Sequence, residues 1–446
     1  MLHDLHNRDL RHLWHPYSDV RAHDHAPAVC IARAEGAYLI DTEGRRYLDG
    51  IASWWAVSLG HSHPKIVEAI RRQAGELQHA ILAGMSHAPA IELAERLAQL
   101  APSSLNRVYF AADGSSVVEA AMKAAVQYWR NRGEPARTRF VGLEQGYHGD
   151  TLGAIGVGYV DAFHSAFADC IVPAFRIPSP YTPLDAPEAQ AAQIHASAAA
   201  LDELLARQAG TVAAVLLEPR IQAAAGMWIH PAAYLQQLRA VCDRHDVLLI
   251  ADEIAVGLGR TGAMFACDTA GIVPDILCVG KGLTGGTLPM SAFIARDEIY
   301  AAFREGRDSA VFWDGHTFCG NPISAAAALA ALEIMAEEDL PASQMACVAR
   351  LAKGFSAIGE HAAVLCHRSV GFVGMCQLRE EAGGASLAQR VCALSMERGL
   401  FVRPLGNVLY LWPPLTVSTE ELGKMLEILA ESLDAALRDI PASARV

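Results

Sequence analysis

The chain predicts an α/β fold, in which a large and mostly parallel sheet is covered by helices and a small α+β domain follows. Two observations carry this. Between residues 105 and 294, short apolar runs of strand length alternate with stretches of helical period, the pattern of successive βαβ units. From about residue 338 the order changes to helix, strand, helix, two short strands and a closing helix. The pair of apolar runs at 247–251 and 276–279 organises the whole. The first stops at Asp252-Glu253 and the second at Gly280-Lys281-Gly282. Ligands gather outside the carboxyl ends of parallel strands, so an acid at one end and a lysine at another predict one crevice.

In chain order, residues 12–18 (HLWHPYS) set Trp14 and Tyr17 around a proline, in an arm with no helical period. Such an arm either packs on a partner surface or lines a pocket. Residues 37–40 and 46–48 alternate in polarity around Asp41-Thr42-Glu43-Gly44, a hairpin-like turn. Trp54-Trp55 can supply a broad apolar wall with N–H handles, and Pro64 then opens a helix. A second helix starts near Pro89. Strand 107–112, the turn Asp113-Gly114-Ser115-Ser116 and helix 117–130 make either an ordinary capped helix or an anion site. Strand 139–143 runs into Gln145-Gly146-Tyr147-His148-Gly149, where an aromatic at a strand end can lie against a planar cofactor.

Strand 212–217, closed by Glu218-Pro219, and helix 231–245 lead into the central runs. Beyond Lys281 come a glycine turn at 284–287, a strand at 290–294, the loop Asp314-Gly315-His316-Thr317-Phe318 and an Ala-rich helix at 324–337. The last third reads as a helix to about 359, strand 370–378, helix 386–398, strands 400–403 and 408–412, and helix 419–437. The N-terminal hairpin is expected to add strands to this part.

The 446 residues are 52% apolar and 19% charged, enough to bury a large core in two or three domains. A net charge of −13 with no basic run argues against nucleic acid or an anionic membrane as partner. No secretory signal and no membrane-spanning run are seen, and the ten cysteines are scattered without a C-x-x-C, so a reducing cytoplasm is expected. The pair His23-x-His25 lacks an accompanying Cys or acid cluster, and no metal site is expected.

A lysine amine flanked by glycines can condense with a carbonyl, and a buried carboxylate can hold a proton on a heteroaromatic nitrogen. These are the two parts a protein supplies to pyridoxal phosphate. A strand-end ion pair between Asp252 and Lys281 is the plainer alternative for an isolated pair. Gly257-x-Gly259-x-x-Gly262 matches the dinucleotide fingerprint only as a bare pattern. Residues 252–256 separate it from the strand, and residues 261–274 make a poor crossover helix.

The context is tighter than an isolated pair. LLIADEIAVGLGRTG followed by PDILCVGKGLTGG resembles the class III, fold-type I aminotransferases that use pyridoxal 5′-phosphate, and the similarity runs from His12 to the last helix. HLWHPYS, Ser53-Trp54-Trp55, Arg403-Pro404-Leu405-Gly406 and Tyr410-Leu411-Trp412-Pro413-Pro414 are similar to the branch of that class that acts on 8-amino-7-oxononanoate in biotin synthesis. The resemblance implies a large cofactor-binding domain at 61–330 with a seven-stranded sheet, an arm and hairpin at 1–60, and a small domain at 331–446.

Site roles follow from the same resemblance. Lys281 would hold the cofactor and shuttle a proton, Asp252 would keep the ring nitrogen protonated, and Tyr147 would stack on the ring. Gly114 and Ser115 would bind the phosphate. Thr317, with His316 beside it, would reach the phosphate from the neighbouring subunit, so that a homodimer shares its active sites. Tyr17, Trp54, Tyr147, Gly315 and Arg403 would hold the acceptor, with Arg403 on its carboxylate. Most members of the branch take the amino group from S-adenosylmethionine and some from lysine, and no residue here decides.

The chain departs from the pattern at His316 (Pro in some relatives), Asp113 (usually Ser) and Val256 (commonly Thr or Gln), which puts loop contacts and substrate detail in question. The alternatives are an ω-amino-acid transaminase of the same class and a non-catalytic protein; the latter would not need Lys281.

Overall fold

The computed structural model describes residues 2–23, 28–102, 104–183, 186–306 and 308–438. His25, of the His23-x-His25 pair, lies outside them. The strands Leu105–Ala111, Ser291–Arg296, Ile276–Val279, Leu248–Asp252, Val212–Leu217, Arg139–Leu143 and Phe175–Ile177 form one seven-stranded sheet, neighbours in that order. Adjacent strands from Ile276–Val279 through to Phe175–Ile177 run parallel, while Ser291–Arg296 is antiparallel to both of its neighbours. The mostly parallel sheet expected from the sequence is therefore present.

Burial explains why these strands carry no alternation. Val212–Leu217 and Leu248–Asp252 are buried along their whole length, as in a sheet covered on both faces. Successive residues serve opposite sides. Ile250 packs with Val117, Ala121 and Trp129 of helix Gly114–Asn131, whereas Leu249 packs with Leu235 and Leu238 of helix Ala232–Arg244.

A third core joins the remainder. Strands Val364–Val370, Val373–Leu378 and Val408–Leu411 form an antiparallel sheet, packed by helices Met345–Gly359 and Gly384–Glu397, with Thr419–Arg438 against both helices. Strands Ile31–Glu35, Tyr38–Asp41 and Arg46–Asp49 make the N-terminal hairpin layer, and Leu400 and Phe401 pair in parallel with Leu48 and Asp49. The hairpin thus joins a strand of the last third.

Several elements differ from the sequence reading, and strand Phe175–Ile177 and helix Asp297–Glu305 are absent from it. Residues 370–378 do not begin a single strand, because Gly371, at φ +51°, turns the chain between Val364–Val370 and Val373–Leu378. Ile31–Glu35 is a strand with four of its five residues exposed, so its small Ala-Arg-Ala-Glu run marks no buried face. The arm is preceded by a helix, Leu2–His12, whose polar composition hid its period. The glycines at 257–262 form a loop instead of opening a helix: Gly259 and Gly262 have φ of +90° and +92°, and the Gly262 N–H returns to the Gly259 carbonyl.

Candidate active site

A cleft of about 740 Å³ opens at the carboxyl ends of the parallel strands. It is lined from all three stretches of the chain: Tyr17 and Trp54; Gly114, Ser115, Tyr147, Asp252 and Lys281; and Arg403. Sequence reasoning had singled out all eight. Gly315, His316 and Thr317 do not line it. They are exposed on a loop anchored by Asp314, which accepts from the Lys123 amine and, at 2.9 Å, from the Tyr109 hydroxyl.

Lys281 follows the strand Ile276–Val279 and begins a short 3-10 turn with φ +44°. Its Nζ lies 4.6 Å from the centroid of the Trp55 ring. Burial lowers the pKa of the amine, while the charges of Asp252, Glu218 and Asp150 pull it back up. A depressed pKa enlarges the neutral fraction, the form that attacks a carbonyl.

Asp252 ends its strand almost fully buried. Its Oδ1 accepts the Ile254 N–H at 3.1 Å, and its Oδ2 sits 2.7 Å from His148 Nδ1. Burial works to lower the His148 pKa, but the bond to Asp252 and the charges of Asp252 and Glu218 outweigh it, and the pKa rises. His148 Nε2 is buried with no hydrogen-bond partner among the described residues. Glu218, which closes strand Val212–Leu217, accepts the N–H groups of Tyr147 and Ala223 at 3.0 and 2.9 Å. Burial, opposed by His148 and reinforced by Asp252, pushes its carboxyl up to about 7.

Asp150 is the polar hub of the outer wall. It accepts from the Tyr17 hydroxyl at 2.8 and 2.9 Å and from the Tyr147 hydroxyl at 3.1 Å. Burial and the bond to Asp150 push the Tyr17 hydroxyl up to about 12, so it remains a donor at neutral pH. The Tyr17 ring meets Trp54 edge-on at 5.4 Å and Phe163 at 5.6 Å. Arg403 donates from Nη2 to the Tyr17 carbonyl at 3.0 Å, and its Cζ lies 5.1 Å from the Trp54 ring.

Gly114 and Ser115 begin the 18-residue helix Gly114–Asn131. The first N–H groups of a helix have no partner within it. Asp113 Oδ1 takes that of Ser116 at 3.0 Å, leaving the backbone N–H groups of the two cleft-lining residues, Gly114 and Ser115, for an anion. A Cβ on Gly149 would stand 2.1 Å from Ser115 Oγ, so this corner requires glycine. An anion cradle, an aromatic at a strand end, a buried carboxylate and a lysine amine therefore face one cleft, and the residues fit pyridoxal phosphate.

The family model for class III aminotransferases matches residues 19–433. The chain belongs to the class III aminotransferases. It is 38% identical to the adenosylmethionine-8-amino-7-oxononanoate aminotransferase of Geobacter sulfurreducens over 442 residues, 96% of this chain and 97% of the relative. Identity to the enzyme of that name from Synechococcus elongatus is 41%, over 95% and 98% of the two chains. The crystal structure of the Methanocaldococcus jannaschii enzyme of that name superposes with a TM-score of 0.90 at 35% identity, covering 98% of this chain and 99% of the other. A PLP-bound amine transaminase from an uncultivated Pseudomonas species gives a TM-score of 0.89 at 34% identity, covering 96% and 98%. The protein is a pyridoxal-phosphate-dependent transaminase.

His148, Asp150 and Glu218 carried no assigned role in the sequence reading, and Trp55 only that of an apolar wall. The signal for Glu218 was weak but present, since it directly follows the end of a buried strand, whereas Asp150 lies in the loop beyond Tyr147. His148 stood beside the chosen Tyr147, and nothing local tied it to Asp252, 104 residues away.

Proposed function

We propose that this transaminase moves an amino group from S-adenosylmethionine to 8-amino-7-oxononanoate, giving 7,8-diaminononanoate in biotin synthesis. The observation that carries the reading is the outer end of the cleft, where Arg403, Trp54 and Tyr17 converge while Lys281 stands within. A guanidinium over an indole suits the carboxylate and methylene chain of a long keto acid. The curated relatives, whose shared name includes both substrates, support the same acceptor and donor.

Bound pyridoxal phosphate supplies an electron sink that lets an amino group be exchanged at carbon. In this reading Lys281 Nζ would hold the cofactor and serve as the proton-carrying group beside it. Asp252, oriented by His148, would keep a proton on the ring nitrogen. Tyr147 would lie against the ring, and the N-terminus of helix Gly114–Asn131 would hold the phosphate.

Gly315, His316 and Thr317 then belong to the site of a second subunit, in a homodimer. The exposure of Trp313 (85%) and Phe318 (60%) on either side of them supports an interface there. The ten unpaired cysteines support a cytoplasmic enzyme.

Arg403→Ala provides the test. Losing a charge-assisted contact should weaken the acceptor half-reaction about ten- to a hundredfold. The donor half-reaction should change far less. Equal losses in the two would indicate a folding or cofactor defect, and no loss in either would favour a general ω-amino-acid transaminase.

A further inference from the structure

The segment carrying Trp54 and Trp55 has a backbone that L-residues avoid. Ala52, Ser53, Trp54 and Trp55 have φ values of 46, 43, 67 and 70°, four successive non-glycine residues in the left-handed region. Residues enter that region singly as a rule, and a run of them persists only where the surroundings over-determine it.

What over-determines this turn is a buried carboxylate. Asp49, with no solvent exposure, accepts from Ser53 Oγ at 2.7 Å, from His61 Nε2 at 2.8 Å and from the Ile51 N–H at 3.4 Å. It therefore grips the turn from its interior, its entry and the chain beyond its exit. His61 is itself fixed, exchanging two backbone hydrogen bonds with Gly36 at 3.0 and 2.7 Å.

The turn places two indoles that the cleft uses differently. Trp54 stands 5.4 Å from Tyr17 and 5.1 Å from the Arg403 Cζ, at the acceptor end. Trp55 lies 4.6 Å from Lys281 Nζ, donates to the Tyr410 hydroxyl at 3.2 Å and packs 5.3 Å from Trp412. Reversing the hand of the turn would redirect both side chains. Asp49, Ser53 and His61 do not line the cleft, so any effect on the reaction passes through the turn.

We infer that Asp49, with Ser53 and His61, is a positioning residue of the transaminase, latching the left-handed turn that sets Trp54 at the acceptor and Trp55 at the lysine. The inference rests on the proposed roles of Lys281, Trp54 and Arg403. Its test uses full-length enzyme with Ser53→Gly and Ser53→Ala, because Asp49→Asn buries an amide where a carboxylate belongs and endangers folding. Glycine adopts a φ of 43° without strain but has no hydroxyl for Asp49.

Ser53→Gly is expected to melt no lower than Ser53→Ala, yet to share with it a rise of about tenfold in KM for 8-amino-7-oxononanoate. The donor half-reaction should change much less. The near-ultraviolet circular dichroism of the tryptophans should change in both variants, with and without cofactor, at unchanged far-ultraviolet signal. Unchanged acceptor KM and unchanged near-ultraviolet signal in both variants would overturn the inference, as would losses that only follow melting temperature. If the wild-type enzyme fails to aminate 8-amino-7-oxononanoate, the proposed acceptor falls separately. The near-ultraviolet comparison then decides alone: a change supports the latch and no change overturns it.

Discussion

Lys281 and Asp252 were legible because each ends a continuous apolar run, and the breaker residues around them mark where a strand meets a crevice. In the structure both line the cleft, and Asp252 gains a partner that the local sequence does not announce. Lys281→Ala should abolish borohydride trapping of cofactor on the protein; an adduct surviving on another lysine would refute the assignment. Asp252→Asn should retain cofactor, seen by its absorbance, while turnover drops at least about tenfold, the scale of a lost charged hydrogen-bond partner. Near-normal turnover in that variant would move the role elsewhere.

Most strands of the large sheet were readable as elements because burial on both faces leaves plain apolar runs between breakers, but the three-residue edge strand Phe175–Ile177 was not. The left-handed turn was not, since Ala52–Trp55 spells a short apolar stretch and its hand is imposed by Asp49 and by the loop packed against it. Gly286 belongs to that loop. At φ +77°, its Cβ would stand 2.6 Å from the Ala56 carbonyl carbon and oxygen and from the Val57 nitrogen. Gly210, at φ +72°, has nothing within 4 Å of a Cβ. Gly210→Ala should cost about 1–2 kcal/mol for the left-handed backbone alone. Gly286→Ala should cost clearly more, because backbone must move as well. Denaturant midpoints of the two variants give the comparison, and equal shifts would show that the loop yields freely.

Across the whole molecule, buried titratable groups shape the response to pH. Burial pushes both Glu218 and Glu253 up to about 7. A folded pKa above the unfolded value means that the folded state holds the extra proton. The stabilisation is complete below about pH 4.5 and is lost as pH rises through about 7. These two carboxyls lower stability between pH 5 and pH 8, each by at most roughly 3 kcal/mol, against the opposite trend of His230, whose burial lowers its pKa to about 4. Glu218→Gln should remove its share of that loss, so that melting temperature falls less or rises more from pH 5 to pH 8 than in the wild type; an unchanged slope would remove Glu218 from the account. Assembly is tested by mixing: Thr317→Ala and Lys281→Ala subunits, each deficient alone, should recover part of the activity as hybrids. No recovery despite demonstrated subunit exchange would argue against a shared site.

The sequence by itself determined which local segments become strands and helices over most of the large sheet, because period and punctuation act between near neighbours. It also determined the chemistry available, a lysine and an acid at strand ends and, earlier in the chain, a glycine-opened helix. Tertiary structure alone decided the partnerships. His148 meets Asp252 across 104 residues, Tyr17 meets Asp150 across 133, and Arg403 meets the Tyr17 carbonyl across 386. The hairpin at Gly371 and the exposed strand Ile31–Glu35 belong with them, since a turn inside apolar flanks and a strand without a buried face leave no period to read. Contacts between distant segments depend on how sheets and helices pack, and no window of neighbouring residues contains that information.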